Sequence, residues 1–403
     1  MNIILIAPNF SKQKGGEAMK AFQIFTNLKK RLPQTIQITH ERNLNEVVND
    51  LKVKDVYFVK DDFVMLFLYH SIIFRLFCDA WFSYKSVKLA EQIALKKGWN
   101  NQQLIIHQTE PNSPVKPRCL SGNFLNVFGP INGNIYYPSF FYHKEKLVTK
   151  FRRKTHFLFQ KLNSVLPFGI KNADLILVAG GDRTSSSLYS AGCREKQMYH
   201  TLDCGVEETV LSQPRVNHIE NNYRFVQYGR VVFHKCTFLV IESLTKTKNR
   251  IIFDIVGTGP ELEYCKNLVK ELKLEDRVNF IPWYPSHQDL LNSLSNYRSL
   301  VFPSIEDANG IVVQEVMAMG IPAICLDWGG PQLLVEHNVD GFLVTPESHD
   351  QVVSDIAKYM DELAVNPDLA EKFSINAYNK AKLWSWDLLV DDWINQYKSL
   401  LKM

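Results

Sequence analysis

Little in this chain points to cross-links or bound metal. Seven cysteines (Cys78, Cys119, Cys193, Cys204, Cys236, Cys265, Cys325) are scattered over 403 residues, with no C-x-x-C pair. An odd, unpaired set excludes a disulfide scaffold and a zinc framework, and it fits a reducing cytosol. No low-complexity segment or internal repeat is visible. The first residues, MNIILIAPNF, lack the basic start and long apolar core of a signal peptide and read as a buried strand. The apolar stretch from Phe63 to Phe82 is interrupted by His70, Arg75 and Asp79. A membrane span needs about 20 predominantly apolar residues, so this stretch reads as a helix that is buried or interfacial. Charge of one sign is also scarce. The net charge is +4 and the pI about 8.5, too mild to imply nucleic acid by itself.

What is present is an ordinary globular composition, 46% hydrophobic and 22% charged. The length predicts two domains. Strand and helix patterns alternate throughout. In the first half, strands are expected at Ile3 to Ala7, Gln34 to Thr39, Asp55 to Val59, Leu104 to His107 and Asp174 to Ala179, with a helix over Ala18 to Leu32. In the second half they are expected at Tyr223 to Tyr228, Ile251 to Val256, Val278 to Ile281, Ser299 to Phe302 and Ala323 to Leu326, with helices between. Such alternation predicts α/β architecture with doubly wound parallel sheets. The polar run Val216 to Asn222 marks the boundary. Leu389, Trp393, Ile394, Tyr397 and Leu401 share one face of a C-terminal helix and read as core packing.

The richest segment runs from Val301 to Val344. A strand end is followed by Glu306 and Asp307, then Asn309-Gly310, a helix carrying Glu315, and a further strand ending at Gly329-Gly330. This puts carboxylates and a helix N-terminus at the C-terminal edge of a parallel sheet, where such sheets bind ligands. Helix N–H groups suit anions or sugar oxygens, and carboxylates suit hydroxyls. Arg230 and Lys235 follow another strand end. Taken alone they read as solvated surface cations; beside Asp307 and Glu315 they read as a grip on a diphosphate. Gly257-Thr258-Gly259 fails the dinucleotide fingerprint, because Leu262 stands where the third glycine belongs. These glycines serve either close approach by a base or ribose, or a tight strand-to-helix turn. His107 closes an apolar strand and is either a satisfied core residue or a functional one, a general base included.

These residues resemble the family 4 retaining glycosyltransferases of GT-B architecture, of surface-polysaccharide type. The matching strings are Gly229-Arg230 with Lys235, Val256-Gly257-Thr258-Gly259, Asp307 with Glu315, Gly329-Gly330, and Leu383-Trp384-Ser385-Trp386. In the first half they are Gly15-Gly16-Glu17-Ala18, His107 to Pro111, and Phe128-Gly129-Pro130-Ile131-Asn132-Gly133. The resemblance implies two Rossmann-like domains facing a central cleft. An acceptor-side domain would span residues 1–215, completed by a helix over 386–403 that crosses back to it. A nucleotide-sugar domain would span 216–385. It further implies that Arg230 and Lys235 hold the leaving diphosphate and that Glu315 takes the ribose hydroxyls. Asp307 and the N–H groups of Asn309, Gly310, Ile311 and Val312 would contact the donor sugar. Gly16 would let a loop approach the phosphates, Gly257 and Gly259 would line the nucleotide, and His107 would face the sugar. No cofactor is expected beyond the donor substrate, and no metal, since no D-x-D string occurs. Two departures stand out: Asp307 replaces the usual Glu, and Cys236 replaces the glycine that usually follows the lysine.

Phe140 to Lys171 interleaves aromatics with Lys144, Lys146, Lys150, Arg152, Arg153, Lys154 and Lys161. It reads as a patch for an anionic membrane surface, against a solvated helix face with core aromatics as the plainer reading; no motif accompanies it that would indicate nucleic acid. The expectation is a cytoplasmic enzyme, peripheral at the inner face of the membrane. It would move a sugar, with retention, from a nucleoside-diphosphate sugar to a lipid-linked or glycan acceptor of capsule, O-antigen or exopolysaccharide. The alternatives are a nucleotide-sugar epimerase of the same architecture and a non-catalytic nucleotide-sugar-binding protein.

Overall fold

The structure is a computed structural model. It describes the chain apart from residues 13–15, 52, 71–76, 117, 134, 145–146, 166–168 and 403, and apart from the side chains of 50, 143–144, 148–149, 152–154, 157, 159 and 162–163. Gly15, Arg75 and Lys146, and the side chains of Lys144, Arg152, Arg153 and Lys154, therefore lie outside the described residues.

The chain forms two compact units. The first comprises Met1–Asn134, Val148–Cys204 and Trp386–Met403; the second comprises Ile135–Leu147 and Gly205–Ser385. The contacts thus divide the chain at 204/205, where the sequence suggested 215/216. They also give a short internal segment, Ile135–Leu147, to the second unit. Phe141 is the reason: it is buried against Phe233 and Phe238 in edge-to-face contacts at 6.0 and 6.1 Å. Trp328 Nε1 secures the segment by donating to Tyr136 O at 2.8 Å.

The first unit's strands are β1 (Asn2–Ile6), β2 (Ile36–His40), β3 (Val56–Val59), β4 (Leu104–Gln108), β5 (Leu125–Ile131), β6 (Leu175–Val178) and β7 (Met198–His200). Among the described residues they pair in parallel in the order β3-β2-β1-β4-β5-β6-β7. Helices cover the faces, so β1, β2, β4 and β6 are buried nearly throughout, β1 and β6 with mainly apolar residues. The C-terminal helix Trp386–Leu400 closes one face. Its Trp386, Leu389, Val390, Trp393, Ile394 and Tyr397 join the core cluster of Ile3, Leu5 and Phe25. Within the stretch expected as one helix over Phe63 to Phe82, the described residues form the helix Phe63–His70 and the start of the helix Cys78–Lys97, with residues 71–76 outside the described residues.

The second unit's strands are β8 (Arg224–Tyr228), β9 (Ile252–Val256), β10 (Val278–Ile281), β11 (Ser299–Phe302), β12 (Ala323–Leu326) and β13 (Gly341–Val344). Among the described residues they form a parallel sheet in the order β10-β9-β8-β11-β12-β13. Both sheets are Rossmann-like, and the expected α/β architecture is what the chain adopts. In each sheet the strand order reverses once, between β1 and β4 in the first and between β8 and β11 in the second.

Candidate functional site

The second reversal gathers most of the residues singled out in the sequence. Arg230 and Lys235 follow β8, and Asp307 follows β11. Lys235 Nζ forms an ion pair with Asp307 Oδ2 across the reversal and lies 4.6 Å from the centre of the Phe302 ring. The loop that carries Asp307 is braced from several sides. Its Oδ1 accepts from Gly310 N at 3.0 Å, and its main-chain oxygen accepts from Gly330 N at 2.7 Å. Gly329 lets that second bond form: its φ is 70°, and a Cβ there would stand 2.7 Å from Asp307 O. Ser304 Oγ and Ile305 N both donate to His234 O, at 3.0 and 2.9 Å, fastening the two loops together. Burial, and next the Lys235 charge, hold the His234 pKa below its ordinary value.

Arg230 is exposed, and among the described residues it has no hydrogen-bond or ion-pair partner. Together with Tyr228, Lys235 and Phe302 it lines a small crevice. Such a cation is free to take an anion.

Glu315 sits in the helix Ile311–Ala318, which starts at Gly310 with no side-chain cap. Uncapped first-turn N–H groups, those of Ile311 and Val312 among them, favour an anion or a sugar oxygen. Asn309 Nδ2 is directed to Gln314 Oε1 at 2.8 Å. Both Glu315 oxygens are engaged. Tyr228 Oη donates to Oε2 at 2.8 Å, and His287 Nε2 lies 3.2 Å from Oε1. The hydrogen bond to Glu315 raises the His287 pKa above its ordinary value against the opposing effect of burial. Burial, then the Glu315 charge, keeps the Tyr228 hydroxyl protonated. No pattern in the sequence marks Tyr228 or His287 as site residues. Ser286 places His287 by capping the helix His287–Leu294, its Oγ accepting from Asp289 N at 3.1 Å.

The glycines after β9 have an internal cause. A Cβ on Gly257 would stand 2.1 Å from Gly229 O, and one on Gly259 2.1 Å from Val231 O. Val231 N donates to Thr258 O at 3.0 Å in the same contact. Two turns of the protein's own backbone meet there, which is the tight-turn reading.

His107 requires a correction. It was expected to face a sugar, but it is fully buried within the first unit. Its Nε2 contacts Gly129 O at 2.8 Å and its Nδ1 contacts Tyr397 Oη at 2.8 Å, with Trp393 edge-on at 6.2 Å. Burial lowers its pKa to about 4, so it is a neutral, satisfied core residue. Gly16 stands at the N-terminus of the helix Glu17–Arg31. The patch expected over Phe140 to Lys171 also changes at its start, since Phe141 is core and Phe140 packs against that core. Beyond it, Phe151, Leu158 and Val165 are 68%, 64% and 72% exposed on the helix Leu147–Val165 and spaced to share one face. Among the described residues, no group of three or more His, Cys, Asp or Glu could hold a metal ion, and no helix is long and apolar enough to cross a membrane.

Comparison with known proteins agrees with this geometry. Residues 211–380, which contain Arg230, Lys235, His287, Asp307 and Glu315, match the family described as glycosyl transferases group 1, in line with the glycosyltransferase resemblance read in that part of the sequence. An uncharacterized glycosyltransferase of Haemophilus influenzae is 36% identical over 148 residues, 36% of this chain and 39% of that protein. A lipopolysaccharide 1,6-galactosyltransferase of Salmonella typhimurium is 27% identical over 160 residues, 37% of this chain and 44% of that one. The matched stretches thus span about two fifths of these relatives' lengths. Among solved structures, an Anabaena protein, HepE, in complex with UDP has a TM-score of 0.66 at 17% identity, covering 99% of this chain and 100% of that one. The lipopolysaccharide outer core galactosyltransferase WaaB has a TM-score of 0.69 at 16% identity, covering 99% of both chains. At these identities the likeness is one of fold.

Proposed function

We propose that the chain is a retaining glycosyltransferase that moves a sugar from a nucleoside-diphosphate sugar to a growing cell-surface glycan, lipid-linked at the membrane. The observation that carries this reading is the site at the second reversal. The free Arg230 and the paired Lys235 stand beside Asp307 and Glu315 at the mouth of one parallel sheet.

Each group has a task in such a reaction. Arg230 and Lys235 stabilise the charge that develops on the leaving diphosphate, which is where electrostatic catalysis contributes most. Glu315, oriented by Tyr228 and His287, accepts from the ribose hydroxyls. Asp307 accepts from the sugar hydroxyls, and the N–H groups from Asn309 to Val312 donate to sugar oxygens. Gly257 and Gly259 keep the turns beside the cations tight. The two cations supply the positive charge, so the reaction proceeds without a metal ion. His107 takes no part. Relatives named for lipopolysaccharide and colanic acid synthesis support a surface glycan as the product class, and the UDP and UDP-glucose complexes of HepE support a uridine nucleotide as the first donor to try.

A panel of nucleotide sugars read by thermal shift tests the donor, since a ligand that binds only the folded chain stabilises it by RT ln(1 + [L]/Kd). Absence of any shift removes the reading. Product analysis with donor alone separates it from an epimerase, which needs no acceptor. The membrane part rests on the exposed stripe Phe151, Leu158, Val165 and on Phe63, Leu66 and Phe67, also exposed on one helix face. Flotation with anionic vesicles should carry the protein, and equal recovery without lipid would exclude membrane docking.

A further inference from the structure

Away from its strand ends, the first unit has a groove between two helices. The helix Leu147–Val165 lines it with Leu158, Lys161 and Val165. The helix Gly181–Ser190 and the turn after it line it with Tyr189, Ser190 and Gly192. Gln160 Nε2 holds the two helices together by donating to Ser187 Oγ at 2.6 Å, and both side chains are buried. Gly192 keeps the groove wide: its φ is 84°, and a Cβ there would stand 3.3 Å from the Cβ of Ser164. The groove holds about 570 Å³, the size of a small-molecule cleft, and lies open along one side. The helix Gly181–Ser190 starts beyond the end of β6 and leads back to the start of β7. Ser190 and Gly192 therefore stand toward the amino ends of the strands, not at the edge where parallel sheets bind ligands.

The lining is apolar with a cation set into it. Leu158, Val165 and Tyr189 are all exposed. Lys161, exposed as well, comes three residues after Leu158 and four before Val165, on the same helix face. At the end of the groove Lys171 Nζ donates to Ser164 O. From Leu147 to Ala173 the sequence carries Lys150, Arg152, Arg153, Lys154, Lys161 and Lys171, and no Asp or Glu. Charge of one sign beside exposed apolar surface selects the occupant. A second copy of the chain, meeting this face across a two-fold axis, would set the same cations against one another. Nucleic acid would satisfy the cations and leave Leu158 and Val165 uncovered. An anionic lipid satisfies both, since basic residues draw a helix to an anionic leaflet while its apolar residues and tyrosines sit at the acyl boundary.

We propose that this groove seats one anionic phospholipid of the membrane, with its phosphate at Lys161 and one acyl chain along Leu158, Val165 and Tyr189. The inference rests on the membrane docking proposed above for the source of the lipid, and it turns an adhering face into a site of fixed stoichiometry.

Dihexanoyl phosphatidylglycerol, kept below its micelle concentration, is titrated into the full chain with no bilayer present. Native mass spectrometry reads the stoichiometry and calorimetry the affinity. One molecule per chain is expected. The dioctanoyl lipid adds two methylenes to the seated chain and should bind roughly tenfold more tightly. Phosphatidylcholine of equal length should bind about two- to fivefold more weakly, and Lys161→Gln should remove that preference by weakening phosphatidylglycerol to the same extent. Leu158→Glu, at an exposed position that leaves the core alone, should weaken phosphatidylglycerol at least about tenfold. Absence of a one-to-one complex, an affinity indifferent to chain length, or wild-type binding by both variants overturns the proposal. Dimerisation in lipid-free buffer that Leu158→Glu abolishes gives the groove to a second copy and overturns it too. Flotation keeps the two readings apart. A wild type that floats with anionic vesicles but binds no monomeric lipid retains the docking and loses the groove. A one-to-one complex without flotation retains the groove and loses the docking.

Discussion

Lys235 and Asp307 are joined by an ion pair across the point where the strand order of the second sheet reverses, one following β8 and the other β11. The cation assigned to the diphosphate is thus held by the acid assigned to the sugar.

That competition has a measurable sign. Asp307→Asn keeps an oxygen for Gly310 N but removes the charge that opposes the diphosphate at Lys235. A nucleoside diphosphate should therefore bind the variant more tightly, by up to about fivefold, the scale of a partly exposed ion pair. Transfer should fall at the same time, because an amide accepts less strongly from the sugar hydroxyls. Calorimetric titration with UDP against steady-state turnover checks both halves; weaker UDP binding would mean that Asp307 does not compete.

Arg230 offers the cleanest test of electrostatic catalysis. It is exposed and unpartnered among the described residues, so Arg230→Ala should leave stability within about 0.5 kcal/mol of wild type. Losing one preorganised donor to developing charge should lower kcat by roughly 10²–10³. Normal turnover in a folded variant would remove Arg230 from the mechanism.

His287 introduces a pH dependence. Its pKa is raised by the hydrogen bond to Glu315. A histidine whose folded pKa exceeds its unfolded value adds stability that is fully present below the unfolded pKa and is lost as pH rises through the folded one. The stability difference between wild type and His287→Asn should therefore be largest below about pH 6.5 and shrink above it. Denaturant melts of the ligand-free proteins from pH 5 to 8.5 check this. A difference that grows with pH would contradict the pairing.

The site residues were legible where chemistry follows a strand end. Arg230, Lys235, Asp307 and Glu315 stand after recognisable apolar strands, and parallel topology then brings them together. Partners supplied by distant parts of the chain were not legible. Nothing near His107 announces Tyr397, which comes from the C-terminal helix and turns an apparent site residue into core. Nothing near Glu315 announces His287. The strands left unread have local reasons: β5 contains Gly129-Pro130, which reads as a turn, β7 has 3 residues, and β13 begins on Gly341 and has 4. The attachment of Ile135–Leu147 to the second unit depends on Phe141 meeting Phe233 and Phe238, a contact that local periodicity cannot show.

The structural role of His107 leads to the opposite pH sign from His287. Its folded pKa is lowered to about 4, so its contribution to stability is present above the unfolded value and is lost as pH falls from about 6.5 toward 4. Tyr397→Phe leaves Nδ1 without its partner and should cost about 1–3 kcal/mol. Donor KM should not change, because both rings are fully buried. A Tyr397→Phe enzyme of wild-type stability with altered donor KM would restore His107 to the site.

Cys236 explains why a glycine is usual at its position, and it supplies the last prediction. Its φ is 52° and its ψ 38°, a left-handed conformation, and its side chain is fully buried at the start of the helix Thr237–Ser243. A non-glycine residue there carries about 1 kcal/mol or more of backbone strain. Cys236→Gly relieves that strain but empties the space filled by a small apolar side chain, worth a similar amount. The two effects oppose, and the variant should lie within about 1 kcal/mol of wild type. Cys236→Val adds a β-branched side chain to the same backbone and should cost more than about 2 kcal/mol. Because Lys235 is the preceding residue, the valine variant should also displace its ammonium and weaken UDP binding, whereas the glycine variant should bind UDP like wild type. Equal stability of the two variants would show that the left-handed turn is not what sets this position.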